Sequence, residues 1–86
     1  MARLIPAAER IKRARAIIQK ARELPTPAET GEDRFAFVAR VKDLMQQARD
    51  LVKFIPYTPT ASEEMKAEVA AIFEETEQAE KEILHH

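Results

Sequence analysis

Apolar residues recur through the middle of the chain, from Phe35 to Ile55, at alternating intervals of three and four positions. This spacing places them on one face of an α-helix, because the helix completes a turn every 3.6 residues. Further apolar residues spaced by seven widen that face, which therefore suits a helix that contacts two others. The face comprises Val38, Val41, Met45, Ala48, Val52 and Ile55, flanked by Phe37, Leu44 and Leu51.

The segments on either side carry similar but narrower apolar stripes. The first stripe consists of Leu4, Ala7, Ile11, Ala14, Ile18 and Ala21. The last consists of Met65, Val69, Ile72, Thr76, Ala79 and Ile83, with Phe73 beside it. The spacing predicts three helices, over about 6–24, 32–54 and 61–84.

Proline and glycine mark the predicted ends of these helices. Pro25 ends the first helix because it lacks a backbone donor and crowds the preceding turn. Two competing start signals follow at 26–29 and 30–33, and we favour the later one because Gly31 inside a helix would be unfavourable. Pro56 and Pro59 predict a stiff, extended second connection.

The third helix is expected to begin with a capping box. The segment Thr60-Ala61-Ser62-Glu63 has the spacing in which a hydroxyl and a carboxylate each accept a bond from free backbone amides. Acidic residues in the first turn also suit the positive end of the helix.

Short connections between helices favour antiparallel neighbours. We therefore predict an all-α fold, an up-down-up three-helix bundle that occupies residues 1–86 as one helical-bundle domain. The alternative is an extended or swapped arrangement whose core is completed only by dimerisation.

Composition excludes several classes of protein. The sequence has no cysteine, so disulfides, thiolate metal sites and cysteine nucleophiles are excluded. The first ten residues hold no apolar core of signal-peptide length, and no apolar run approaches membrane-spanning length. We expect a cytoplasmic protein without a transmembrane segment.

Charge is distributed unevenly along the chain. Residues 1–27 carry seven basic and two acidic side chains, residues 28–59 five of each, and residues 60–86 two basic and eight acidic. Parallel neighbouring helices pair the charged columns that flank their apolar seams. In the predicted bundle, the first and third helices are parallel. We therefore expect the pair Arg15 and Arg22 to contact Glu68, Glu75 and Glu82.

The same basic helix supports a second interpretation, a docking face. Four basic residues are not used by the predicted pairing and could contact phosphates or a protein partner: Arg10, Lys12, Arg13 and Lys20. Against nucleic acid stand the slightly acidic overall charge and the lack of interleaved aromatic residues for base stacking.

Three aromatic residues also allow two interpretations. Phe35, Phe54 and Tyr57 could pack over the ends of the bundle and close its core, which we favour. Alternatively, the segment Phe54-Ile55-Pro56-Tyr57 could form a rigid apolar patch that binds a partner. In that interpretation the contacts are made by Phe54, Ile55 and Tyr57.

Catalytic chemistry has little support. Glu82 and His85 have the Glu-x-x-His spacing of di-iron bundle sites, but both histidines are terminal and could be remnants of a purification tag. Ser62, the only serine, fits a helix cap and has no histidine to activate it. We predict no metal, no cofactor and no enzyme activity.

The sequence therefore favours a small non-catalytic helical interaction or assembly protein. It would act as an accessory subunit or scaffold module that binds a protein partner or itself. The alternative function is a nucleic-acid-binding regulator that uses the basic first helix. A third hypothesis is a metal enzyme assembled across a dimer through Glu82 and His85.

Overall fold

The computed structural model describes residues 6–25 and 32–84, and within them the chain is helical with no strand. Helix α1 spans Ala7–Arg22, α2 spans Glu32–Val52 and α3 spans Glu63–Leu84, with a short 3-10 helix at Ile55–Tyr57. Each of the three α-helices packs against the other two. The predicted all-α three-helix bundle is confirmed.

The core lies along the seams that the apolar spacing predicts. Two residues expected in or beside the α2 face, Val38 and Leu51, are only partly buried. Leu4, expected in the first stripe, lies outside the described residues. The buried apolar residues are Ile11, Ala14, Ile18, Ala21, Phe37, Val41, Leu44, Met45, Ala48, Val52, Ile55, Val69, Ile72 and Ala79.

Contacts between helices give their directions. Arg15 and Arg22 of α1 pair with Glu75 and Glu82 of α3, so a step of seven residues along one helix matches the same step along the other. Helices α1 and α3 are therefore parallel. Near the start of α1, Arg10 donates to the carbonyl oxygen of Leu51 near the end of α2, as antiparallel neighbours require.

Helix α2 ends two residues earlier than predicted. The spacing extended it to residue 54 and predicted an extended connection, but the helix ends at Val52. The amides of Tyr57 and Thr58 then donate to the carbonyl oxygens of Phe54 and Ile55. Pro56 fits this 3-10 turn because its fixed φ is helical and its missing donor lies at an end.

The cap of α3 is Ser62 instead of the predicted Thr60. The Ser62 hydroxyl oxygen accepts a hydrogen bond from the amide of Met65 at 3.1 Å, and α3 begins at Glu63. Thr60 falls within the preceding turn, where the amide of Ala61 donates to the carbonyl oxygen of Thr58. The start of the helix is therefore two residues later than the capping-box spacing indicated.

This difference can be tested by paired substitutions. We expect Ser62→Ala to lower the free energy of unfolding by about 1 kcal/mol, because it removes the side-chain acceptor of a helix cap. Thr60→Ala is the matched control and should change stability by only a few tenths of a kcal/mol, since Thr60 caps nothing. Urea denaturation followed by circular dichroism measures both; equal losses would contradict the assigned cap.

One polar contact crosses the interface between α2 and α3. Thr76 is fully buried in the α3 seam, and its hydroxyl donates to the carbonyl oxygen of Phe73 at 2.7 Å. The Nε of Arg49, on α2, donates to the same hydroxyl oxygen at 3.1 Å. The only buried polar side chain of the described residues, that of Thr76, is therefore satisfied both as a hydrogen-bond donor and as an acceptor.

Candidate interaction surface

Ion pairs link the basic first helix to the acidic third helix. Arg15 donates through its two terminal nitrogens to Glu68 and Glu75, both at 3.2 Å, and Arg22 pairs with Glu82. These are the contacts that the charged columns predict. The hydrogen bond to Glu75, more than that to Glu68, raises the pKa of Arg15 above its ordinary value despite partial burial.

Glu82 has a second partner besides Arg22. The side-chain amide of Gln78 donates to Glu82 at 3.0 Å. This hydrogen bond, followed by the one from Arg22, lowers the pKa of Glu82 below its usual 4.5. The ionised carboxylate is therefore the form that the fold prefers.

The lowered pKa of Glu82 predicts how its contribution depends on pH. Because the folded pKa is below the unfolded one, the contribution is present above about pH 4.5 and is lost as pH falls through the folded value. The stability difference between the wild type and Glu82→Gln should therefore shrink in acid. Carboxyl-carbon NMR titration of Gln78→Ala should show the pKa of Glu82 shifted back upward. An unchanged titration would contradict the assigned cause.

The basic residues predicted to form a docking face are in different environments. Arg10 donates to the backbone of α2, as described above, and Arg13 pairs with Glu9 one turn earlier at 3.4 Å. Lys20 is exposed. The basic surface of α1 is therefore partly neutralised by carboxylates of its own helix and of α3.

The aromatic residues do not close the ends of the bundle. Phe35, Phe54 and Tyr57 are 82%, 66% and 83% exposed, so the favoured interpretation of these residues is wrong. For Phe54 and Tyr57 the reason is local: Ile55 is the residue after α2 that enters the core, as its spacing predicts, and the aromatic residues near it in sequence face outward.

Ile55 has to be removed from the predicted partner-binding patch. It is 4% exposed and packs in the core, so it cannot serve as a main contact for a partner. Phe54 keeps its exposed ring, and the ammonium nitrogen of Lys53 lies 5.1 Å from the centre of that ring. This distance allows a cation–π interaction on the surface.

An open groove of about 590 Å³ runs between α1 and α2. Its apolar residues are Ala16, Ile17 and Leu51, and its polar residues are Arg13, Gln47 and Asp50. We call this surface the α1–α2 groove. Ile17 and Leu51 are only partly buried because they lie beside the seams instead of on them.

A second depression of about 380 Å³ adjoins the groove where α2 ends, and we call it the end cavity. Leu51 lines both the groove and the end cavity, so the two adjoin at this residue. The other lining residues are Ala7, Arg10, Phe54, Ile55, Thr58 and Thr60.

The structure brings several of the predicted contact residues together. Arg10, Phe54 and Ile55 line the end cavity, and Arg13 lines the groove. Tyr57 and Lys20 are exposed but line neither depression. The predicted residues thus divide between two adjoining depressions and two separate exposed positions.

Sequence reasoning missed the apolar floor of the groove. The apolar spacing places Leu51 beside the α2 face, and the first apolar stripe does not include Ile17. A usable signal was present: Ala16 and Ile17 are consecutive apolar residues off the seam, on a helix that is otherwise charged there. Small and apolar residues in such positions indicate a second contact face.

Among residues 6–25 and 32–84, no group of three or more potential ligands is placed to hold a metal ion. Glu82 is bound to Arg22 and Gln78, and its predicted co-ligand His85 lies outside the described residues, as does His86. No helix in these ranges is both long and apolar enough to cross a membrane.

Comparison with protein-family models, curated protein sequences and solved structures finds no match to this chain. The function therefore has to be argued from the surface itself.

Proposed function

We propose that this protein is a small helical interaction module, an accessory subunit or scaffold piece, that binds a protein through the α1–α2 groove and the end cavity. The observation that carries the proposal is the exposure of the Phe54 ring beside the end cavity, which adjoins the apolar α1–α2 groove at Leu51. Exposed aromatic residues beside apolar depressions are typical of the contact centres of protein interfaces.

The size of the bundle supports this proposal. A chain of 86 residues buries a smaller fraction of its surface than a larger domain does, so its fold gains from burying more against a partner. Alanine contributes several of the buried positions, including Ala14, Ala48 and Ala79, and adds little apolar area at each. Contact over Ile17 and Leu51 would extend this thin core.

The nucleic-acid alternative has less support from the same residues. Arg13, Arg15 and Arg22 of α1 each pair with a carboxylate, which reduces the positive potential that phosphates would meet. The calculated isoelectric point of 6.1 is also low for a nucleic-acid-binding domain.

Site-specific photo-crosslinking in the native cell tests the proposal. A photoreactive phenylalanine analogue placed at Phe54 or at Tyr57 should give discrete crosslinked protein bands. The exposed Phe54 ring lines the end cavity, and the exposed Tyr57 lies in sequence between two other lining residues, Ile55 and Thr58. The control position is Glu74, which is exposed on α3, far from the groove residues of α1 and α2. Bands from none of the three positions, or equal bands from all three, would contradict the proposed binding surface.

A further inference from the structure

We infer that the α1–α2 groove is the contact surface of a symmetric dimer of this chain. The inference rests on the proposed function and makes it specific, because the partner becomes a second copy of the same protein. The two-fold axis runs along the groove, parallel to α1 and α2. Each copy thus places its antiparallel helix pair on that of the other, as in a four-helix bundle.

The shape of the groove suits a helix pair. Its floor is apolar at Ala16, Ile17 and Leu51, and the short side chain of Ala16 lets another helix approach closely. The groove is open to solvent, so it can accept a helix lying in it. Burying Ile17 and Leu51 of both copies would supply the apolar centre that a stable interface needs.

The charged residues that line the groove indicate that its partner is a second copy of this chain. Arg13 lies on the α1 side and Asp50 on the α2 side of the same groove. Arg10, one turn before Arg13, donates to the carbonyl oxygen of Leu51, so Arg13 and Asp50 lie within about one helical turn of the same level. Rotation about an axis along the groove exchanges the two sides and keeps the level, so Arg13 of one copy faces Asp50 of the other. The contact forms twice, as a symmetric interface requires.

Both charged residues can change partners at little cost. Within one chain, Arg13 pairs with Glu9 and Asp50 pairs with Lys53. All four side chains are about half exposed in these pairs, and such solvated surface pairs contribute little to stability.

Other occupants fit the groove less well. A uniformly acidic helix would bring a like charge against Asp50, and a uniformly basic one would bring a like charge against Arg13. A second copy presents the opposite charge at both positions.

The same rotation gives Phe54 a partner. Phe54 lies at the end of α2, level with the start of α1, where Ala7 and Arg10 line the end cavity. Because the rotation lays the α2 of one copy over the α1 of the other, the exposed Phe54 ring reaches the partner's end cavity. A contact between this ring and the guanidinium of Arg10 from the other copy is then favourable.

Charge reversal with complementation tests the dimer. We expect the wild type to sediment as a dimer at concentrations of about 10–100 µM. Arg13→Glu and Asp50→Arg should each weaken self-association by about tenfold or more, because each places like charges across the interface twice. Mixing the two variants should restore a dimer, since the mixed pair places opposite charges at both contacts.

The control is Glu74→Arg, a charge reversal on α3 outside the groove, which should leave self-association unchanged. A stable wild-type monomer at about 100 µM, or a mixture no tighter than either variant alone, would overturn the inference. A wild-type monomer whose position 54 still crosslinks another protein would overturn the dimer and leave the proposed function standing. A monomer without crosslinks would remove both.

Discussion

Replacing Ile72 with alanine is expected to lower the free energy of unfolding by about 2–5 kcal/mol. Ile72 is completely buried in the α3 seam, and its side chain belongs to the single apolar cluster shared by the three helices. The substitution removes apolar contacts and leaves a cavity that the surrounding helices fill only in part. Small domains are typically stable by about 5–15 kcal/mol, so much of the population would unfold at moderate urea concentrations.

The neighbouring residue provides the control for this prediction. Phe73 has the larger side chain but is 37% exposed beside the seam. Phe73→Ala should therefore lower the free energy of unfolding by less than Ile72→Ala does, although it deletes more atoms. Both values follow from urea denaturation monitored by far-ultraviolet circular dichroism. A larger loss for Phe73→Ala would mean that α3 is rotated about its axis relative to the arrangement described here.

Reversing the charge of Arg15 is expected to lower the free energy of unfolding by about 2 kcal/mol at low ionic strength. Two ion pairs are lost, and two contacts between like charges replace them. Arg15 donates to both Glu68 and Glu75, so Arg15→Glu would bring three carboxylates together. All three side chains are about 40% exposed, and salt therefore screens their interaction. Thermal unfolding should show the cost falling markedly at about 1 M salt.

Two further variants distinguish the effect of specific ion pairs on stability from a general effect of charge. Arg15→Glu combined with Glu68→Lys and Glu75→Lys should recover most of the lost stability, because the pairs re-form with reversed sign. Lys12→Glu makes the same change of charge on α1, but Lys12 is exposed and forms no ion pair among the described residues. Lys12→Glu should lower the free energy of unfolding by only a few tenths of a kcal/mol. Equal losses for Arg15→Glu and Lys12→Glu would contradict a specific pairing.

The ion pairs between α1 and α3 could be predicted because a seven-residue spacing carries information about register. Arg15 and Arg22 recur at the interval that also separates Glu75 from Glu82. Two parallel helices with matching intervals can pair along their whole contact once one pair is in place. The prediction required only the helix order and the seams, which the apolar pattern supplied.

The exposure of Phe54 could be predicted only in part. The apolar spacing places Ile55 on the core face and Phe54 off it, as the structure shows. The expectation that the Phe54 ring packs over the end of the bundle was wrong, because α2 ends at Val52 and a turn and a 3-10 helix follow it. Where regular periodicity stops, the direction of each side chain depends on local hydrogen bonds that apolar spacing does not encode.

The groove and the contact between Arg49 and Thr76 were missed for a further reason. Both depend on the reach of side chains between helices, whereas apolar periodicity reports only the face on which a residue lies. Thr76 was correctly placed in the seam, but nothing in its spacing indicated that Arg49 would extend across α2 and α3 to meet it.

The hydrogen bond from Arg49 to Thr76 also favours one position of α3 along the axis of α2. The apolar seams alone would permit several such positions. Sliding α3 by seven residues would keep its apolar face toward α2 but would bring Val69 or Ile83 to the level of Arg49. The guanidinium would then lose its hydroxyl acceptor, and the Thr76 hydroxyl would lose its donor from α2. A polar residue in an otherwise apolar seam thus makes neighbouring alignments unequal in energy and favours a single native structure.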